Sequence, residues 1–360
     1  MPDLIRVLAV DDSALARNAY RLLLTEEDGF ELIGTAPNAE LARKRITQLD
    51  PDVVILDIEM PGENGLSLLA WLMEHFPVPV VVSSSYSTNG AEQTLQAFSL
   101  GAVEVVCKGG SGNHQGWSDD FATTLAQAVR AAAFAGKQIR FSSRRKSSPA
   151  ALDRQTATPL WRAAQPIRRG NCVVIGASTG GTEALALLIK QMPADFPPTM
   201  IVQHMPGLYT ATFARRLDGL GVVSVREAVD GDQIGPGQVL VAPGGFQLRM
   251  EVGATGPVAR VSDEGPVNRH APSVDVLFES AAKHYRSRAI GILLTGMGDD
   301  GAEGMVAIRS IGGFTIAQDE SSSVVYGMPA EAARRGGASE ISALDDVIDL
   351  TIRRLSRQAS

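Results

Sequence analysis

Forty acidic residues, thirty-three Lys and Arg, five His and two Cys leave few places where chemistry can concentrate. One is a set of groups that follow short apolar runs: Asp11 and Asp12, then Asp57, then Ser84, then Lys108. In an open parallel sheet the strand C-termini gather at one edge, which is where such folds bind ligands. Three carboxylates converging there repel one another unless a cation joins them, and an all-oxygen donor set points to Mg²⁺. Ser84 adds a hydroxyl and Lys108 an ammonium. A carboxylate nucleophile, a metal and a lysine together suit acceptance of a phosphoryl group. A lone acid after a strand is ordinarily a turn or a helix cap; five such groups at strand ends outweigh that reading.

The second place is Gly176-Ala177-Ser178-Thr179-Gly180-Gly181, after the apolar run Cys172–Ile175. Two chemistries fit a strand, a glycine turn and a helix. As a dinucleotide fingerprint the loop has serine where the middle glycine belongs, and the next strand ends in Gln203-His204 with no acid for a ribose. As a nucleophile turn it exposes Ser178 at the strand end, with free helix N–H groups aimed at a developing oxyanion. Ser178 needs a base. His204 ends the strand expected to neighbour the serine's own, whereas His75 and His114 fall in the first half and His284 in a mixed-charge, helix-like stretch. The base needs an orienting carboxylate. Leu294-Thr295-Gly296-Met297-Gly298-Asp299-Asp300-Gly301 brings two aspartates to the same edge, and spacing does not choose between them. The order Ser, His, Asp differs from the Ser, Asp, His order of α/β-hydrolases.

The elements that position these groups divide the chain. In the first part, Val7–Val10, Glu31–Thr35, Val53–Leu56, Val80–Val82 and Val103–Val106 are short and β-branched, as in a sheet covered on both faces. They alternate with helical periodicity over Ser13–Thr25, Ala39–Gln48, Gly65–His75, Ala91–Ser99 and Asp119–Ala135. Residues 137–169 carry nine basic residues and one acid without sustained periodicity, which reads as a linker. From Asn171 the βα rhythm resumes, with a glycine- and proline-rich middle holding a hairpin around Gly253–Gly256. The reading is α/β throughout: two doubly wound parallel-sheet domains, one flavodoxin-like over 1–135 and one Rossmann-like over 170–360, joined by a basic linker over 136–169.

Net charge is −7, and without the linker 24 basic residues face 39 acidic ones, so no positive field recruits nucleic acid or an anionic membrane. No apolar run reaches the roughly 18–20 residues of a spanning helix. The N-terminal residues lack the basic head and apolar middle of a signal peptide. Two cysteines, Cys107 and Cys172, make no disulfide framework and have no metal-ligand spacing. A cytoplasmic protein without membrane insertion is the expectation.

Asp11-Asp12, Asp57-Ile58-Glu59-Met60-Pro61, Gly65, Ser84 and Lys108 resemble the receiver domain of two-component response regulators. The resemblance implies Asp57 as phospho-acceptor, Mg²⁺ held by Asp11, Asp12, Asp57 and the Glu59 backbone carbonyl, and Ser84 and Lys108 as switch residues. Gly109 stands where the family usually has proline. The stretches Ile175–Thr182, Gln203–Pro206, Ala242–Gly245, Asn268–Asp275, Leu294–Gly301 and Gln318–Pro329 are similar, in order and spacing, to the catalytic domain of the CheB chemotaxis methylesterases. That resemblance implies Ser178 as nucleophile, His204 as base and Asp300, rather than Asp299, as its partner. It also implies an oxyanion contact from the Met297 N–H, and Thr179 and His270 lining the cleft. Gln247 stands where the family often has histidine. The implied activity is cofactor-free hydrolysis of glutamate methyl esters, with glutamine deamidation by the same acyl chemistry. The implied partners are methyl-accepting chemoreceptors as substrate and a CheA-type histidine kinase as phosphodonor. A regulator whose second domain binds a partner or nucleotide without catalysis is the competing class.

Overall fold

Strands such as Val7–Val10 and Val53–Leu56 are buried along their whole length, as apolar runs must be when helices cover both faces of a sheet. The computed structural model describes residues 4–85, 88–108, 119–145, 170–254 and 256–357. The described residues fall into two compact units, one before and one after the stretch read as linker. His114 and Gly109 lie outside the described residues, as does the linker from 146 to 169. No helix among the described residues is long and apolar enough to cross a membrane.

The first unit alternates β1 (Ile5–Val10), α1 (Ala14–Leu23), β2 (Phe30–Ala36), α2 (Ala39–Leu49), β3 (Val53–Asp57), α3 (Gly65–His75), β4 (Val80–Ser85), α4 (Thr88–Ser99), β5 (Glu104–Lys108) and α5 (Asp119–Arg145). Its five strands run parallel in the order β2-β1-β3-β4-β5. The chain reverses its direction of travel across the sheet at β1 and β3, so a crevice opens beyond their ends. Side chains start the helices: Ser13, Asn38 and Asn64 each accept a first-turn N–H. One boundary differs from the sequence reading. Helix α5 runs to Arg145, ten residues beyond Ala135 and into the basic stretch. Gln, Lys and Arg propagate a started helix well, and the charged stretch shows no sustained periodicity in sequence.

The second unit holds β6 (Cys172–Ala177), α6 (Gly181–Gln191), β7 (Thr199–Gln203), α7 (Gly207–Asp218), β8 (Ser224–Glu227), β9 (Gln238–Val241), β10 (Gln247–Val252), β11 (Pro257–Ser262), α8 (Val274–Tyr285), β12 (Ala289–Leu293), α9 (Ala302–Ser310), β13 (Phe314–Gln318), α10 (Met328–Arg334), β14 (Glu340–Ser342) and α11 (Val347–Arg357). Seven strands run parallel in the order β14-β13-β12-β6-β7-β9-β8. The expected hairpin is β10 with β11, antiparallel and outside the main sheet. Here the reversal falls between β6 and β12, and β7 flanks β6 on the other side. The ends of these three strands carry Ser178, Asp300 and His204.

Helix α8 packs its Val274 against the turn after β6. A Cβ on Gly301 would meet the Val274 side chain at 2.6 Å, and one on Gly176 would meet it closer still. Further along α8, fully buried Phe278 joins Leu248, Met250, Met305 and Leu293 in one core cluster. Truncating it removes a ring the neighbours cannot replace. Phe278→Ala is expected to lower the second unit's stability by about 3–5 kcal/mol, measured as a shift of its guanidinium-unfolding midpoint.

Candidate active site

In the first unit the strand ends meet as expected. Carboxylate oxygens of Asp11, Asp12 and Asp57 lie within 4.8 Å of one another. Lys108 places Nζ 2.6 Å from Asp57 Oδ2 and 2.7 Å from Asp11 Oδ2. Burial pushes the Asp57 carboxyl up, and Lys108 only partly offsets it. Burial would lower the Lys108 pKa, but the charges of Asp57 and Asp11 reverse that and raise it. Ser84 is buried at the end of β4, opposite Cys107 in register and one residue after Ser83, the partner of Asp57. The Glu59 N–H donates to Asp57 Oδ1 at 3.0 Å. Gly65 packs under the Asp57 carbonyl, where a Cβ would clash with backbone.

Two residues complete this pocket that sequence reading did not single out. Arg17 donates to the carbonyls of Asp11 and Asp12 at 2.6 and 2.8 Å, fixing the acidic turn from behind. Tyr20, fully buried, donates to Asp11 Oδ2 at 3.2 Å, and its hydroxyl oxygen lies 2.9 Å from Ser83 Oγ. Burial, then the Asp11 charge, raises its phenol well above the usual range, so it serves only as a neutral donor. Tyr20 sits among helical apolar positions and gives no separate signal in a linear pattern.

In the second unit, Ser178 ends β6 without strained backbone: the left-handed residue is Gly180, at φ 77°. The turn is held on three sides. Ser178 N–H donates to the Thr295 carbonyl at 3.0 Å, while its own carbonyl accepts Gly181 N–H at 2.7 Å and Gln203 Nε2 at 2.9 Å. Gly181 leaves the space that the Gln203 side chain fills. The glycine turn thus makes room for Gln203 rather than for a pyrophosphate. Thr295 Oγ1 donates to the Thr179 carbonyl at 2.9 Å and accepts the Val325 N–H. Thr179 is buried beside Ser178.

His204 Nε2 lies 2.9 Å from Asp300 Oδ2, and the ring's Nδ1 is buried with no partner. A carboxylate only accepts, so Nε2 carries the proton and Nδ1 the lone pair. No hydrogen bond joins Ser178 Oγ to His204 among the described residues; such contacts commonly tighten only in the reacting complex. Asp300 Oδ2 also accepts Val274 N–H at 2.7 Å, and Oδ1 accepts Ser273 Oγ at 2.7 Å, Asn268 Nδ2 at 3.1 Å and Asp275 N–H at 3.3 Å. Burial alone would push its pKa up. The hydrogen bond and charge of His204, then Ser273 and Val274, outweigh burial and hold it well below the carboxylate range. Asp299 points elsewhere, to Arg335 at 2.5 Å, half exposed. The structure therefore distinguishes two aspartates that spacing left equal.

His270 stacks on His204, ring centroids 3.8 Å apart and planes within 5°. Burial, then the neighbouring His204 charge, lowers its pKa to about 4, so it stays neutral at working pH. Gln247 is buried and ties the His270 loop: Nε2 donates to the Gly265 and His270 carbonyls, and Oε1 accepts Ser273 N–H. The Met297 side chain is exposed at the mouth, in a turn completed by Gly298 at φ 89°.

A serine, a histidine with one free nitrogen and a buried aspartate thus converge at the β6–β12 reversal. Residues 173–350 match the family model described as CheB methylesterase, and residues 7–114 match that of the response regulator receiver domain. A protein-glutamate methylesterase/protein-glutamine glutaminase of Cupriavidus pinatubonensis is 43% identical across 98% of this chain and 96% of its own. The chain belongs to the CheB methylesterase family. A relative of the same description from Anaeromyxobacter dehalogenans is 46% identical over 94% of this chain and 93% of its own. The crystal structure of the Thermotoga maritima CheB methylesterase catalytic domain is 36% identical, covering 52% of this chain and all of that one, with a TM-score of 0.50. Both units are thus those of a CheB protein, a receiver domain followed by a methylesterase domain, each a parallel α/β sheet.

In this member of the family the β12 turn lies against the Ser178 turn with no space to spare. A Cβ on Gly296 would stand 2.7 Å from Ser178 Cβ and closer still to Met328 Sδ. Gly296→Ala is expected to move the Ser178 turn and cut its reaction with a fluorophosphonate at least tenfold, read as the labelling rate per folded molecule.

Proposed function

We propose that Ser178 is the nucleophile of the methylesterase, His204 its general base and Asp300 the group that orients and charge-balances the base. The supporting observation is His204, pinned through Nε2 to a saturated carboxylate and left with one unpartnered, buried nitrogen. Nδ1 takes the Ser178 proton, Oγ attacks the ester carbonyl, and the imidazolium is stabilised by Asp300. The oxyanion is received by the Met297 N–H and by N–H groups of the first turn of α6. His204 returns the proton to methanol as it leaves; a water, deprotonated in the same way, cleaves the acyl-enzyme. Glutamine deamidation follows the same steps with ammonia leaving. Thr179 and His270 line the cleft, and the esterase chemistry calls on no cofactor.

The substrate is a glutamate methyl ester on a methyl-accepting chemoreceptor, and the setting is cytoplasmic. Control comes from the receiver domain, with Asp57 as the phospho-acceptor and a CheA-type histidine kinase as donor. The three oxygen donors fit Mg²⁺: Asp11, Asp12 and Asp57 would hold it, with the Glu59 carbonyl, and it would supply charge neutralisation for the phosphoryl group. Phosphorylation adds roughly −1.5 to −2 charge at Asp57, and Ser84 and Lys108 respond to it. Lys108 already bridges Asp57 and Asp11, so the added charge competes for an existing ion pair.

Ser178→Ala and His204→Ala are expected to abolish most methanol release from methylated receptor membranes, and Asp300→Asn to lower it by about 10⁴-fold. Asp299→Asn should stay within a few-fold of wild type, because its partner is Arg335; the reverse ranking of the two aspartates would remove the assignment. Beryllofluoride with Mg²⁺ should raise methanol release in the wild type and leave Asp57→Asn unchanged.

A further inference from the structure

Helices α8 and α9 exchange caps across the site. Asp300, just ahead of α9, accepts the Val274 and Asp275 N–H groups that open α8. Asp275, in the first turn of α8, accepts the Gly304 N–H in the first turn of α9 at 2.7 Å through Oδ1. Between the two carboxylates stands Asn268. Its amide nitrogen lies 2.7 Å from Asp275 Oδ2 and 3.1 Å from Asp300 Oδ1, so its two protons serve one carboxylate each. Asn268 adopts a left-handed conformation, φ 51°, which aims the amide at both.

We propose that Asp275 is a positioning residue for the reaction: as a carboxylate it anchors Asn268, and through Asn268 it holds Asp300 at the angle His204 requires. The inference rests on Asp300 being the partner of the base. Both Asp275 oxygens face donors, Gly304 N–H and the Asn268 amide. A proton on either oxygen therefore turns one donor against another and breaks a tie. Burial pushes the Asp275 carboxyl up, the Gly304 N–H pulls it back, and the charges of Asp300 and Glu279 raise it again, to about 6. His204 and His270 stand on the far side of Asp300, and Ser273 and Asn268 are uncharged. The sign follows. Above about pH 6 Asp275 is ionised and the bridge complete; below it the bridge opens. Activity should then carry an acid limb that depends on the Asp275 carboxylate.

The test is the rate of Ser178 labelling by a fluorophosphonate from pH 5 to 8 on the full-length protein, with the folded fraction measured in parallel. Wild type should lose labelling rate as pH falls through about 6. Asp275→Asn should be on the order of tenfold slower at pH 8, with a shallower acid limb than wild type. Asn268→Gly keeps the left-handed backbone and the α9 cap but deletes the bridge, and should lose a similar factor; it decides the matter if Asp275→Asn does not fold. Labelling that falls only in proportion to the folded fraction, with the wild-type pH slope, would make Asp275 a helix cap and nothing more. A wild type that takes no label on Ser178 would instead overturn the nucleophile assignment.

Discussion

One buried carboxylate organises the catalytic unit. Asp300 receives five hydrogen bonds, from His204, Ser273, Val274, Asn268 and Asp275. A charge taken out of water is tolerated only when its lone pairs are filled, and here the donors come from a strand end, a loop and the N-terminus of α8. Each is held by something else in turn: Ser273 by Gln247, Asn268 by Asp275, the α8 terminus by Val274 against Gly176 and Gly301. Satisfying the charge and fixing the His204 ring are therefore one structural task. The partial positive charge at the start of α8 adds to the same end.

The receiver unit meets a like problem by opposite means. Its acids also gather where the chain reverses across the sheet, but they are only partly neutralised, by one lysine, a tyrosine hydroxyl and an arginine that reaches only carbonyls. A pocket left electrically incomplete responds to an arriving cation or phosphoryl group. A pocket saturated from within, like that around Asp300, keeps its geometry for as long as Asp275 stays ionised. The two halves share a sheet architecture and divide responsiveness and constancy between them.

Much of this was legible in the sequence because strand ends are legible. Ser178, His204, Asp57 and Lys108 follow apolar runs directly, so finding the strands located the chemistry. The choice of Asp300 over Asp299 was not available from spacing, since adjacent residues after a glycine turn diverge only when Arg335 and the α8 N-terminus are in place. Helix α8 was read only as a helix-like stretch around His284, without bounds, because most of its residues are buried and give no clear polar stripe. The edge strands β8 and β14 are four and three residues long, too short for any period to register. Gln247, Asn268 and Tyr20 act through partners between 7 and 63 residues away, and pairing at that range leaves no local trace.

The interleaved strand order has a kinetic corollary. His204 and Asp300 are separated by 96 residues of chain, and the strand that delivers Asp300 must insert beside β6 after β7 to β11 have been made. Such non-local pairing is slow to form, because loop closure is paid before contacts reward it. A growing polypeptide therefore carries Ser178 and His204 through 96 residues of synthesis before Asp300 is added. Hydrolytic competence arrives late and all at once, as a property of the completed sheet.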